Sequence, residues 1–235
     1  MVRNSAEPGI AMRLSIVIPA LDEAGALPAT LAALAPLRAR GHEVIVVDGG
    51  SKDGTPALAA PLADRVIAAP RGRARQMNAG AAIARGEGLI FLHADTRLPE
   101  DADRRVAEAL AARAWGRFDV AIEGRSPLLR VVAASMNWRS RLTGIATGDQ
   151  AIFVRREAFE RAGGYPDLAL MEDIVFSRRM KALSRPACIG ARAITSGRRW
   201  ERHGVVRTIV LMWRLRLAFF FGVPAEELAR RYARG

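Results

Sequence analysis

The sequence predicts an α/β fold with a mostly parallel sheet flanked by helices. Three observations carry this. Short β-branched runs alternate with helical stretches through the first two-fifths of the chain, the pattern of crossover units that cover both faces of a parallel sheet. Each run stops at a polar or glycine-containing turn. No repeat of fixed period is present, which removes solenoids and propellers.

The elements follow in order. Leu14 to Ile18 is a buried strand stopped by Pro19, and Ala26 to Arg38 is an alanine- and leucine-rich helix. A second strand, Glu43 to Val47, ends at Asp48 and the turn Gly49-Gly50; Thr55 to Leu62 is a short helix and Arg65 to Ala68 a short strand. Ala74 to Ala84 is helical, Leu89 to Leu92 a buried strand, and Pro99 opens a helix running to about Arg113 in a first-turn position that suits proline. Beyond it the pattern gives a strand at Asp119 to Glu123, a helix at Pro127 to Leu142 and a strand at Ala151 to Val154. A short helix from Arg156 to Ala162 stops at Gly163-Gly164, and a clear helix spans Glu172 to Leu183. Two short strands are expected between Ala187 and Thr195, and an apolar, arginine-containing helical segment follows over residues 205–235.

Length and composition fit one folded domain: 235 residues, 50% hydrophobic and 26% charged. The single cysteine, Cys188, excludes an internal disulfide and a cysteine metal site and suits a reducing, cytoplasmic setting. The net charge of +12 comes almost wholly from arginine, with Lys52 and Lys181 the only lysines. Such a surplus attracts polyanions and anionic membrane surfaces, and it equally reflects an arginine-rich genome. Residues 1–12 read as a short disordered lead rather than a signal peptide. The most apolar window, Val205 to Gly222, is broken by Arg207, Arg214 and Arg216 and falls short of a spanning helix.

In parallel sheets ligands bind beyond the carboxyl ends of the strands. The residues there are Asp22-Glu23, Asp48 and Asp95. Each alone reads as a turn or helix cap; three in succession point to a site. Asp48-Gly49-Gly50-Ser51-Lys52-Asp53-Gly54-Thr55 is a strand–turn–helix connection with capping residues, but it lacks the Gly-Lys-Ser/Thr ending of a P-loop. The arginines of Arg71-Gly72-Arg73-Ala74-Arg75 at a helix start suit a phosphate or a solvated basic turn; nucleic acid is not expected, because no aromatic side chains for base stacking are nearby. Asp95 can hold a hard divalent cation, and His93 is a ligand or a packed, hydrogen-bonded ring. Glu172-Asp173 is a favourable helix start or a general base with a second carboxylate beside it.

Taken together, Ser15 to Glu23, Val46 to Thr55, Arg75 to Gly80, His93-Ala94-Asp95 and Glu172-Asp173 resemble the ordered motifs of family 2 glycosyltransferases over about residues 13–200. The resemblance implies a GT-A fold over residues 13–204, with a nucleotide-binding half (about 13–98) continuous with an acceptor-binding half (about 99–204). It implies that Pro19, Ala20 and Glu23 line the nucleotide pocket, that Asp48 reads the base with Ser51 nearby, and that Arg75, Asn78 and Ala94 contact the donor. Asp95 would bind Mg²⁺ or Mn²⁺, Asp173 would be the catalytic base with Glu172 beside it, and Arg199 and Trp200 would touch the acceptor or diphosphate. The first aspartate of the family's Asp-x-Asp is His93 here, and Ser196 stands where processive members have glutamine.

The expected activity is inverting, non-processive transfer of one sugar from a nucleotide-diphosphate sugar, a UDP-sugar, to an acceptor hydroxyl. Lipid-linked acceptors are frequent in the family, which with the basic charge brings in a location peripheral on the inner face of the membrane. The alternatives are a nucleotidyltransferase of related fold, which would need a glycine-rich loop after the first strand, and a non-enzymatic basic module binding membrane or nucleic acid. Residues 205–222 have three fates: packing on the domain, pairing in a homodimer, or lying in a membrane interface.

Overall fold

The computed structural model describes residues 12–234. Nearly all of the expected N-terminal lead lies outside them; Met12, its last residue, packs against the core. Strands β1 (Leu14–Ala20), β2 (Glu43–Asp48), β3 (Arg65–Ala68) and β4 (Gly88–Phe91) alternate with helices α1 (Leu27–Ala39), α2 (Thr55–Ala59) and α3 (Arg73–Ile83). A two-residue strand β5 (Thr96–Arg97), α4 (Ala102–Ala112), β6 (Trp115–Glu123) and α5 (Leu128–Thr143) follow. A 3-10 turn (Gly148–Gln150) then leads to β7 (Phe153–Arg155), α6 (Arg156–Arg161), α7 (Glu172–Leu183) and β8 (Ala187–Ser196). Three helices complete the chain: α8 (Arg198–His203), α9 (Val205–Phe220) and α10 (Ala225–Arg234).

All eight strands form one sheet in the order β3-β2-β1-β4-β7-β6-β8-β5. β3, β2, β1 and β4 pair in parallel, as does β6 with β8; β7 runs antiparallel to both its neighbours and β5 antiparallel to β8. β1, β2 and β4 read as nearly unbroken apolar runs because both faces are covered. Ile16, Ile18, Val44 and Val46 face α1, α2 and α4 through Leu27, Leu31, Leu34, Ala59 and Val106. Their neighbours Val17, Ile45 and Val47 face α3, α6 and α7 through Ala74, Met77, Phe159 and Phe176.

Register decides where the strands stop. Ala20 pairs with Asp48 and Asp48 with Ala68, so three parallel strands end level and their following loops share one edge. A buried polar network sets the opposite ends. The Ser15 hydroxyl donates to Glu43 at 2.7 Å and accepts from the Gly86 N–H at 2.8 Å, while Glu43 also accepts from the Arg85 N–H at 2.9 Å.

Sequence expectation and structure part in a few places. Pro99 precedes α4 by three residues instead of occupying its first turn. The two short strands expected after residue 187 are one ten-residue strand, β8. β5 and α8 carry no signal of their own in the sequence, whereas the break between α9 and α10 is marked by Gly222, at a φ of 86°, and Pro224.

Gly86 tests the register. A Cβ there would stand 2.6 Å from the backbone of Leu14 and of Ser15, atoms that cannot move without shifting β1. Gly86→Ala is expected to lower stability by about 1–3 kcal/mol, measured by urea unfolding; an unchanged midpoint contradicts the close approach.

Candidate active site

A cleft of about 860 Å³ opens at the level ends of the parallel strands. Pro19, Ala20 and Asp22-Glu23 border it from the end of β1, Ala94 and Asp95 from the end of β4, Arg73 and Gln76 from α3, and Glu172-Asp173 from α7. α5, α8, α9 and α10 supply the remaining wall, including Arg139, Arg199, Trp200, Arg216 and Tyr232.

The loops after β1 and β2 are laced to each other. Asp22, at a positive φ of 52°, accepts from the Lys52 N–H at 2.8 Å, and its own N–H donates to the Ser51 hydroxyl at 2.9 Å. The Glu23 and Ala24 N–H groups donate to Thr55 and Asp53, both at 2.9 Å. Beneath them the Gln76 amide donates to the carbonyls of Ala20 and Val47, both at 2.8 Å, tying the ends of β1 and β2.

The expected site residues divide into two groups. Pro19, Ala20, Glu23, Ala94, Asp95, Glu172, Asp173, Arg199 and Trp200 all border the cleft. Asp48, Ser51, Arg75 and Asn78 do not. The Asp48 carboxylate, 6% exposed, accepts from the N–H groups of Gly50 and Ser51 and from the Ser51 hydroxyl, all within its own turn. Arg75 points away and pairs with Asp167 at 2.8 Å, and the Asn78 amide makes a two-way clamp on the backbone of Tyr165 at 2.8 and 2.9 Å.

Arg73 of the basic helix start takes part instead, with two residues that sequence reasoning passed over, Arg198 and Asp149. Arg73 stands 3.2 Å from Glu172. Arg198 reaches Glu23 at 2.9 Å and Asp95 at 3.0 Å with the same Nη2, so two carboxylates converge on one cation. Asp149 holds His93 Nδ1 at 3.1 Å, while His93 Nε2 is buried without a partner. Among the described residues no cluster of three His, Cys, Asp or Glu could hold a metal ion by itself.

The two acids at the start of α7 differ sharply. Glu172 is 2% exposed; burial pushes its carboxyl up, Arg73 opposes that shift and the Asp173 charge reinforces it. Its Oε1 has no hydrogen bond despite the nearby guanidinium. Asp173 reaches the cleft, with one oxygen accepting from the Gly148 N–H at 3.1 Å and the other from the Ile174 N–H at 2.7 Å. Each oxygen keeps a lone pair for another partner. Arg199 is anchored away from both acids: its guanidinium lies 3.6 Å from the Tyr232 ring centroid and donates to the Tyr232 carbonyl at 2.6 Å.

The glycosyl transferase family 2 model matches residues 15–162. The chain belongs to glycosyltransferase family 2. That membership sets aside the nucleotidyltransferase and basic-module alternatives. A PGL/p-HBAD biosynthesis glycosyltransferase of Mycobacterium tuberculosis is 42% identical over 101 residues, 40% of this chain and 40% of the relative.

Among solved structures, Staphylococcus aureus TarS 1-349 aligns with a TM-score of 0.64 at 18% identity, covering 79% of this chain and 61% of its own. The same fragment is known with UDP-GlcNAc. The Pyrobaculum calidifontis mannosyltransferase PcManGT, solved with GDP-Man and Mn²⁺, aligns with a TM-score of 0.64 at 23% identity, covering 91% of this chain and 64% of its own. The chain spans less than two thirds of the length of each of these relatives. These likenesses give the GT-A-type α/β fold.

Removing Arg73 tests the charge balance of the family 2 cleft. Glu172 prefers its protonated form in the folded state, so it costs stability as pH rises above the ordinary glutamate range. Without Arg73 that preference strengthens. The stability deficit of Arg73→Gln relative to wild type is expected to be larger at pH 8 than at pH 5, measured by chemical denaturation; equal deficits at both pH values contradict the pairing.

Proposed function

We propose that the chain moves one sugar from a nucleotide-diphosphate sugar, a UDP-sugar, to an acceptor hydroxyl with inversion at the anomeric carbon. The observation that carries this reading is the pairing, within one cleft, of a hydrogen-bond-oriented carboxylate, Asp173, with two further carboxylates gathered round a single cation. The first suits proton removal and the second suits a diphosphate bound through a cation.

The donor lies across the ends of β1, β2 and β4. Pro19, Ala20, Glu23 and Ala94 line its pocket; Asp48 and Ser51, beside the cleft at the end of β2 and bonded within their own turn, are the proposed contacts to the base. Arg73, inside the cleft, supplies the positive charge that the sequence pattern placed at Arg75. Asn78 supports the site through its clamp on Tyr165.

A divalent ion, Mg²⁺ or Mn²⁺, fits beside Asp95. Asp95 and Glu23 already share one positive group, Arg198 Nη2, and carboxylate oxygens are the hard donors such ions take. His93 is turned toward Asp149 and Gly148 instead. When bound, the ion supplies charge that stabilises the departing diphosphate.

The acceptor hydroxyl attacks the anomeric carbon opposite the leaving group. A new C–O bond forms, the bond from carbon to the diphosphate oxygen breaks with its electron pair leaving on the nucleoside diphosphate, and the hydroxyl proton passes to Asp173. Glu172, buried beside it, adds a second acidic group to its surroundings, while the Gly148 and Ile174 N–H groups orient Asp173. Holding donor and acceptor in line adds to general base catalysis. Ser196 in place of glutamine supports a single transfer per binding event.

Asp173→Asn removes the proton acceptor and keeps the shape. Release of nucleoside diphosphate from a panel of sugar donors is expected to fall about 10²–10⁴-fold, with donor affinity within a few-fold of wild type. Turnover close to wild type would refute the assignment.

The surface of α9 supports a peripheral membrane location. Leu215 is buried and the helix packs on Leu170 and Ile174, yet Val206, Val210, Trp213, Leu217 and Phe220 form an exposed apolar stripe along its other side. Trp138 and Leu142 of α5 are also exposed, as are Arg207 and Arg214. No helix among the described residues is long and apolar enough to cross a membrane. Exposed tryptophan and phenylalanine beside arginine suit the interface of an anionic bilayer, so the protein sits peripherally on the inner face of the membrane. Wild type is expected to co-sediment with anionic vesicles and Leu217→Ser/Phe220→Ser, two stripe residues away from the cleft, to remain in solution with UDP binding intact. A homodimer that leaves vesicles untouched would assign the stripe to self-association.

A further inference from the structure

Arg139 and Arg216 are cleft cations that the donor reading leaves unused. Arg139 is held in place by its own helix. Its neighbour Asn137 bonds both backbone groups of Val120 on β6, at 2.9 and 3.0 Å, and the next residue, Ser140, accepts from buried Arg117 at 3.0 Å. Nε and Nη2 of Arg139 are nevertheless shut off from solvent without a hydrogen-bond partner. Burial pushes the Arg139 guanidinium down to about 10, and the positive charge of Arg216 acts in the same direction. Burial lowers Arg216 as well.

The acids nearest this pair have other partners, and no hydrogen bond or ion pair joins them to Arg139 among the contacts of the described residues. Asp149 is bonded to His93, and both oxygens of Asp173 accept backbone N–H groups. Two guanidiniums bordering one cleft, one of them with two buried donors unpartnered, form a receptor for an anion. The carboxylates at the donor end, Glu23 and Asp95, have their own partner in Arg198. Arg139 and Arg216 border the same cleft as Asp149 and Asp173, so the anion they receive shares the cleft with the proposed base.

We propose that Arg139 and Arg216 form a subsite for a phosphoryl group carried by the acceptor, beside the hydroxyl that Asp173 deprotonates. This rests on the glycosyltransferase reading above. A phosphoryl dianion matches two guanidiniums in charge and offers several oxygens to their planar donor forks. The group belongs either to a water-soluble phosphorylated acceptor or to a lipid headgroup presented at the cleft mouth, where Trp213 stands.

The test is calorimetry of inorganic phosphate with the full chain, free and saturated with UDP and Mn²⁺. Phosphate is expected to bind the UDP-loaded protein, and Arg139→Gln and Arg216→Gln are each expected to weaken it about tenfold or more. UDP affinity within about twofold of wild type reports that each variant is folded; Arg216→Gln stays informative should Arg139→Gln fail to fold. Vesicles containing phosphatidic acid that displace phosphate assign a lipid headgroup; vesicles that leave phosphate bound assign a soluble acceptor. Loss of phosphate binding once UDP is present would make the pair part of the donor diphosphate site and overturn the proposal, as would unchanged binding in both variants. A protein that binds phosphate but no nucleotide would overturn the donor reading while leaving the anion subsite to the variants.

Discussion

Helix α3 lies on β1 and β2 along one side and meets the segment leading into α7 along another, and three of its polar side chains hold that second contact. Arg73 reaches Glu172, Arg75 reaches Asp167, and Asn78 clamps the backbone of Tyr165. The fourth, Gln76, ties the ends of β1 and β2 from below. A single helix thus sets the distance between the strand ends and the acids of α7. The cleft has its shape because these contacts are short and directional, and because Val17, Val47 and Ala74 close the apolar space beneath them.

The same contacts explain how a strongly basic chain keeps a cleft of mixed charge. Particular arginines face particular acids: Arg73 with Glu172, and Arg198 with both Glu23 and Asp95. A water-excluded wall makes each such placement matter more than the overall surplus. Glu172, the most deeply buried of the acids, bears the cost of that exclusion, and its raised carboxyl is the physical trace. Arg139 and Arg216 stand apart from this pairing.

Much of the sheet was legible because β1, β2 and β4 are buried on both faces and leave continuous apolar runs between turn residues. β3 was found from the same alternation. β8 was misread as two strands because exposed Gly190 and Arg192 interrupt its pattern, whereas its length comes from pairing along β6. β5 owes its existence to β8 alone. At the site, the acids Glu23, Asp95, Glu172 and Asp173 and the basic start of α3 were legible; which arginine of that start faces the cleft was not. Arg73 and Arg75 differ by about 200° round a helix, and only the packed helix selects between them. Arg139 and Arg216 did carry a signal. Arg139 follows buried Met136 by three residues, and Arg216 follows Met212, another cleft residue, by four, so both lie on inward faces.

The central claim is that the carboxylates at the strand ends serve a cation-bound nucleotide diphosphate, with Arg198 holding their place when it is absent. A crystal structure of the protein with UDP and Mn²⁺ tests this most directly. The account predicts the base at the ends of β1 and β2, the metal on Asp95 and the diphosphate, and Arg198 released from Asp95. UDP bound elsewhere, with Arg198 still bridging Glu23 and Asp95, would contradict it.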